Sequence, residues 1–234
     1  MIHLAGEPIA QRWTPEAKRR IRESRLEGTR RLIAALPTPP RVFICSSAVG
    51  FYGSRGDEVL TEASAPGTGF LAELCVEWER AAGEAQALGM RVVKLRTGMV
   101  LGPNGGALQK MLPAFRRGAG GRLGSGRQWM PWIHIDDLLD LFEFALAATV
   151  SGPLNAVAPN PVTNREFTAA LARVLHRPAF VPVPAFLLKM LFGEMASVLL
   201  DSQRVSPRAA LDAGFAFRHP ELGPALQNIL RSNR

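Results

Sequence analysis

Ser46, Ser47 and Tyr52 are the residues of this chain whose types and spacing could do chemistry. Two hydroxyls leave the apolar run Val42-Phe43-Ile44-Cys45, and a phenol follows in the glycine-bracketed turn Gly50-Phe51-Tyr52-Gly53. A short continuous apolar run reads as a strand buried on both faces of a parallel sheet. In open α/β sheets ligands bind beyond the carboxyl ends of the strands, where hydroxyls can hold or polarise a substrate oxygen. Serines at a strand end also begin turns by bonding nearby backbone, and a turn phenol can simply pack. Further along, Trp132-Ile133-His134-Ile135-Asp136-Asp137 brings a histidine and two carboxylates together. The aspartates read as caps of the helix that follows, and His134 as a satisfied structural histidine.

These side chains need a frame, and the chain supplies alternating strands and helices. Met1 to Gly6 reads as a strand end and a glycine turn. Thr14-Pro15-Glu16 opens a helix: a hydroxyl cap, a proline whose missing N–H costs nothing, and an acid at the positive dipole end. That helix is expected to reach about Leu36, where Pro37, Pro39 and Pro40 stop it. A polar loop and an amphipathic helix from about Gly69 to Leu88 precede the strand Arg91 to Leu95, which leads into Arg96-Thr97-Gly98-Met99-Val100. Helix, strand and glycine turn thus occur twice in succession, the rhythm of a doubly wound parallel sheet. Beyond it, helices are expected from about Ala107 to Arg117 and from Asp136 to Ala148, with a strand near Leu154 to Ala158. The tail is helical: a capping box at Thr163 to Glu166, an apolar helix from Pro184 to about Leu200, and shorter helices from Pro207 and Pro220.

At 234 residues, with 47% hydrophobic and 21% charged residues, the chain is globular and long enough for a domain and a smaller lobe. The net charge of +8 recurs in Lys18 to Arg20, Arg30-Arg31, Arg116-Arg117 and Arg122 to Arg127 rather than in one block. No zinc-finger or aromatic-rich RNA-binding spacing is present, so no nucleic-acid partner is expected. Cys45 and Cys75 fall in apolar segments and read as reduced core thiols of a cytoplasmic protein. No signal peptide opens the chain, and the apolar stretch Phe186 to Leu200 is too short to span a bilayer and contains Lys189 and Glu194. No membrane partner is expected.

Together these segments resemble the extended short-chain dehydrogenase/reductase superfamily, the NAD(P)-dependent epimerase/dehydratase group. His3-Leu4-Ala5-Gly6 looks like its turn beside the cofactor, and Ser46 to Gly53 like its strand-end Ser-Ser-x-x-Val-Tyr-Gly lengthened by one residue. Leu95 to Pro103 resembles the turn lying against the nicotinamide, and Trp132 to Asp137 the return from the substrate lobe. Gly6 to Ile9, Arg12-Trp13-Thr14, Ser24-Arg25, Trp78-Glu79 and Asp201 to Pro207 narrow the match to atypical epimerase-like proteins with a C-terminal domain of unknown function.

The resemblance implies an α/β, Rossmann-like doubly wound parallel sheet lacking its first strands, with a smaller mainly helical C-terminal lobe. The sheet domain would comprise residues 1–100 and 132–160, and the lobe residues 101–131 and 161–234. It implies NADP as cofactor, held by Leu4, Ala5, Gly6, Ser46, Arg96, Gly98, Met99 and Val100, with Ser47, Ser46 and Tyr52 as the catalytic candidates and no metal. Two departures shape the expectation. The family's Gly-x-x-Gly-x-x-Gly phosphate turn lies about 60 residues before the His-Leu-Ala turn at which this chain begins. The chain is therefore expected to be an N-terminally truncated member that binds cofactor weakly or not at all, its first strand a raw edge open to self-association. Moreover, the family's reductases use a Tyr one helical turn before a Lys, which lowers the phenol's pKa for proton exchange. Here the corresponding helix carries Phe70 and Leu74. The functional expectation is thus an epimerase- or oxidoreductase-like protein of unknown small-molecule substrate, or a non-catalytic, cofactor-binding regulatory or cell-division-associated protein.

Overall fold

Pro15 sets the first helical φ, the Thr14 hydroxyl accepts the Ala17 N–H at 3.2 Å, and helix α1 runs Pro15–Ala34 with Ala17, Ile21 and Ile33 turned inward. It joins strand β1 (Ile2–His3) to β2 (Val42–Ala48) in a computed structural model that describes residues 1–231. After β3 (Val59–Leu60), helix α2 (Phe70–Gly83) leads to β4 (Arg91–Thr97), then β5 (Met99–Leu101) and α3 (Gly106–Arg116). Next come β6 (Trp129–Met130), β7 (Trp132–His134), α4 (Ile135–Ala147), β8 (Gly152–Ala156), β9 (Val162–Thr163) and α5 (Asn164–Leu175). The chain ends with α6 (Ala185–Phe192), α7 (Ser197–Leu200), β10 (Arg204–Val205), α8 (Arg208–Asp212) and α9 (Leu222–Arg231).

The main sheet is parallel throughout, in the order β1-β2-β4-β8. On one face, Ile33 of α1 and Trp78 and Ala82 of α2 pack on Phe43, Cys45 and Val92. On the other, Leu138, Leu141 and Phe142 of α4 and Ala210 of α8 pack on Ile44, Val93, Leu95 and Leu154. A sheet covered on both sides explains why β2 and β4 read as continuous apolar runs. Each fully buried Phe43, Ile44, Val93 or Leu95 side chain contributes about 1.5–3 kcal/mol to holding these layers. A second core joins Leu108, Leu112 and Phe115 of α3 to Phe167 and Leu171 of α5 and Leu226 and Ile229 of α9.

Four expectations change. First, Ser46 and Ser47 do not leave the strand: β2 continues to Ala48, pairing Ser46 with Leu95 and Ser47 with Arg96. Second, the helix expected to reach Leu88 is α-helical only to Gly83, then tightens into the 3-10 turn Glu84–Leu88. Third, Pro184 to Leu200 is not one helix, because Gly193 adopts a left-handed φ of 60° and breaks it between α6 and α7. Fourth, the tail does not belong wholly to the lobe. β10 pairs with β3, and Ala210 and Phe215 lie in the sheet's core, so residues 204–217 return to the sheet body.

Candidate active site

The carboxyl ends of β2, β4 and β8 carry a connected set of buried polar side chains. Glu79 stands on the face of α2 turned to the sheet, and its carboxylate accepts both the Ser47 hydroxyl and the Arg96 Nε–H at 2.8 Å through Oε1. Arg96 Nη2 donates to Oε2 at 2.9 Å, completing a two-point ion pair that is almost wholly buried. The other guanidinium nitrogen, Nη1, donates to the Tyr52 hydroxyl at 2.9 Å, and that hydroxyl donates to Asn155 Oδ1 at 2.7 Å. The guanidinium lies over the Phe51 ring, 3.4 Å from its centroid. Asn155 extends the set, its backbone N–H bonding Glu62 and its side-chain amide the Ser206 carbonyl.

Buried polar groups so fully partnered hold elements together. Burial raises the Tyr52 pKa and the Arg96 charge beside it offsets only part of that, so the phenol keeps its proton. Burial disfavours the Arg96 charge, but the Glu79 carboxylate outweighs it and the guanidinium's pKa rises. Three expected site residues thus have partners inside the fold. Ser47, 4% exposed, is bound to Glu79; Tyr52, with no exposure, is bound to Arg96 and Asn155; and Arg96 has its charge matched inside the fold rather than by a phosphate.

Of the remaining candidates, Leu4, Ala5 and Gly6 are exposed where β1 ends, and Ser46 is half-buried at the end of β2. Gly98 is closely packed: a Cβ there would lie 2.6 Å from the Pro131 carbonyl oxygen, in the crossing where the Met99 N–H bonds that oxygen. Met99 and Val100 are half-buried beside it, Met99 toward the lobe's core and Val100 toward the sheet's. Phe70 and Leu74 pack with Trp13 under the first turns of α1, and Lys18 sits 5.1 Å from the Phe70 ring centroid.

Reading the sequence assigns no role to Arg25. Its guanidinium stacks over Trp78 at 5.0 Å, donates to the Glu7 carbonyl at 2.9 Å, and fills the space where a Cβ at Gly6 would fall. Burial lowers its pKa, and among the described residues no carboxylate lies within ion-pair distance. A cation kept partly desolvated beside the β1 turn can attract an anionic ligand. Only its place one turn past Ile21 on the inner edge of α1 hinted at this.

His134 and the aspartates behave differently from the expected caps. His134 Nδ1 accepts the Asp136 N–H at 3.0 Å, so the histidine is the cap of α4, while Nε2 meets Asn228 at 3.2 Å. Asp137 is buried and accepts the backbone N–H groups of Arg218 and His219, tying the tail to α4. His219 stacks on His134 with centroids 3.8 Å apart. With Asp136 these two offer three donor atoms within 4.8 Å, but a metal taking a His134 nitrogen would have to displace the cap or the Asn228 contact.

A doubly wound parallel sheet joined to a helical lobe defines a Rossmann-type α/β protein, a fold in which ligands bind beyond the carboxyl ends of the strands. The chain belongs to the NAD dependent epimerase/dehydratase family, whose model matches residues 1–157, and a domain of unknown function, DUF1731, matches residues 183–229. An epimerase family protein of Mycobacterium bovis is 46% identical over 230 residues, covering 97% of this chain and 76% of the relative. The epimerase family protein SDR39U1 homolog, chloroplastic, of Arabidopsis thaliana is 43% identical over 237 residues, covering 99% of this chain and 68% of the relative. The crystal structure of human epimerase family protein SDR39U1 with NADPH superposes with a TM-score of 0.91 at 38% identity, covering 98% of this chain and 81% of that one. Among the described residues no helix is long and apolar enough to cross a membrane.

Proposed function

We propose that this chain is an NADP-linked, epimerase-like protein whose described residues form the nicotinamide side of the crevice. The observation that carries the reading is the exposed turn Leu4–Gly6 at the end of β1, with the Arg25 cation beside it. The NADPH in the human relative's structure supports the choice of dinucleotide. The fit is partial. Leu4–Gly6, Ser46 and the backbone of Gly98 to Val100 suit the flat ring end of such a cofactor. Among the described residues, however, no Gly-x-x-Gly-x-x-Gly turn runs from a strand of the main sheet into an α-helix N-terminus, the arrangement a pyrophosphate needs. We therefore read the chain as the carboxyl-side part of the family's protein, binding NADPH weakly by itself.

When bound, the dinucleotide supplies or takes up a hydride. Arg25 attracts the anionic cofactor, and the Ser46 hydroxyl donates a hydrogen bond to an oxygen of the substrate. Phe70 and Leu74 keep water from the helix face that in reductases carries the proton-exchanging pair. With no phenol–ammonium couple there, Ser46 is the side chain left to orient a proton-bearing group. The replacement of that pair, with Tyr52 locked on Arg96, favours a second reading: a protein that binds cofactor as a regulatory ligand and turns nothing over.

NADPH fluorescence titration tests the proposal. We expect affinity weaker than micromolar, lowered further by Arg25→Ala, with the melting temperature near that of the parent. Micromolar affinity in this chain would overturn the weak-binding reading, and indifference to Arg25→Ala would overturn the site. Turnover that survives Ser46→Ala unchanged, with a protein partner retained in pull-downs, would favour the regulatory reading.

A further inference from the structure

Basic residues that look scattered along the chain are gathered by the fold. Residues 101–131 and 161–193 hold nine lysines and arginines against one acid, Glu166, while the rest of the chain holds 19 of each sign. The net charge of these two segments, 9 − 1 = +8, equals that of the whole chain. In the sheet body, several helix α1 arginines are neutralised by carboxylates: Arg19 pairs with Glu16 and Glu23, Arg22 with Glu77, and Arg30 with Glu27 and Glu84. The nine lobe cations, Arg116, Arg117, Arg122, Arg165, Arg173 and Arg177 among them, are all exposed, and none forms an ion pair among the described residues.

The same lobe exposes apolar surface. Of fifteen exposed large hydrophobic residues among the described residues, eight fall between Phe180 and Val198, led by Phe180 at 86%, Met190 at 67%, Leu191 at 65% and Phe186 at 63%. On α6 only Leu188 is buried. The two features are contiguous. Arg122, Arg165, Arg173 and Arg177 line a groove of about 890 Å3 together with Phe180. Val183 donates to the Arg122 carbonyl at 2.9 Å, Gly124 donates to the Val183 carbonyl at 2.8 Å, and α6 starts just beyond at Ala185.

We propose that this face of the lobe docks on an anionic phospholipid surface, with α6 seated at the headgroup boundary and the arginines on the lipid phosphates and carboxylates. Exposed apolar side chains rimmed by unpaired cations are the arrangement that such a surface fits, since it satisfies both at once. A nucleic acid would use the arginines and stack on Phe180, Phe186 and Phe192, but would leave the exposed Leu187, Met190 and Leu191 without an apolar partner. This departs from the expectation of no membrane partner, which rested on the lack of a segment long and apolar enough to span a bilayer. It is independent of the cofactor reading.

Flotation with vesicles tests it, using phosphatidylcholine alone and an equimolar mixture with phosphatidylserine. The chain should float with the mixed vesicles, less so as salt rises, and not with the neutral ones. Arg173→Glu with Arg177→Glu should lower binding by at least about tenfold. Met190→Ser with Leu191→Ser should lower it also while leaving the salt dependence in place. All four positions are exposed, so circular dichroism and melting temperatures should match the parent. Equal binding to neutral vesicles, or no binding to either kind, would overturn the proposal. So would capture of a single-stranded oligonucleotide that the arginine variant abolishes while vesicles are ignored, which would assign the surface to nucleic acid.

Discussion

Glu79 decides how the carboxyl ends of β2, β4 and β8 are held, because its one carboxylate answers the Ser47 hydroxyl and two nitrogens of Arg96. Glu79→Gln keeps the shape and removes the charge, leaving a guanidinium buried over Phe51 with nothing to neutralise it. Breaking a buried pair from one side costs about 3–5 kcal/mol. Urea unfolding of the variant should show a midpoint lowered accordingly, with its slope unchanged; a loss under about 1 kcal/mol would mean the pair is effectively solvated. Reading the sequence alone singles out Ser46, Ser47, Tyr52 and Arg96, polar residues near the carboxyl ends of β2 and β4. It does not show that three of the four are partnered within the fold. The partners, Glu79 and Asn155, lie 32 and 103 residues from the groups they bind, and no local pattern spans such distances. Arg25 escaped for the same reason: its meaning rests on Gly6 and Trp78 meeting around it.

At the scale of elements, the main-sheet strands and the longer helices were legible, the six short strands outside that sheet were not, and boundaries were settled by tertiary partners. The Thr14-Pro15 start of α1 and the Thr163–Glu166 capping box of α5 are local chemistry, and both stand where the sequence places them. Strand β2 outruns its apolar stretch because Glu79 satisfies the second serine inside the sheet. The start of α4 is subtler: the cap is His134, which acts only while Nδ1 is unprotonated. Burial, and then the neighbouring His219, lowers its pKa from the usual 6.5, with Asp136 and Asp137 opposing less strongly. His3, bound to Thr29, is lowered by burial as well. A histidine with a depressed folded pKa binds fewer protons folded than unfolded, so its contribution is complete above about 6.5 and is lost as pH falls below that value. The melting temperature should therefore decline on acidification from about pH 7 to 5.5, and His134→Asn, a cap that does not titrate, should flatten part of that decline. A melting temperature indifferent to pH across that window would rule out His134 as a neutral cap.

For the molecule as a whole, the four-stranded sheet ends in two unlike edges. On the β8 side, β10 and α8 fold back, with the Asn155 side chain bonded to the Ser206 carbonyl. On the β1 side, the strand pairs with β2 through Ile2 and His3, and its outer side meets no strand among the described residues. Ile2 and Leu4 are 40% and 63% exposed there, so backbone donors and acceptors stand beside apolar side chains. Natural sheets blunt such edges with lysine or proline, and Met1 to Ala5 contains neither. The expected outcome is concentration-dependent self-association through β1, seen in sedimentation velocity as a shift to larger species as concentration rises. Leu4→Lys, which adds a charge without touching the β1–β2 register, should move the chain back toward monomer at the same concentration. The lobe's unpaired cations repel one another between copies, so added salt should strengthen association through the sheet edge while weakening attachment to anionic vesicles. A monomer at every concentration, with and without salt, would show that the edge is shielded in solution. Association unaffected by Leu4→Lys would move the contact to the apolar face of α6 instead.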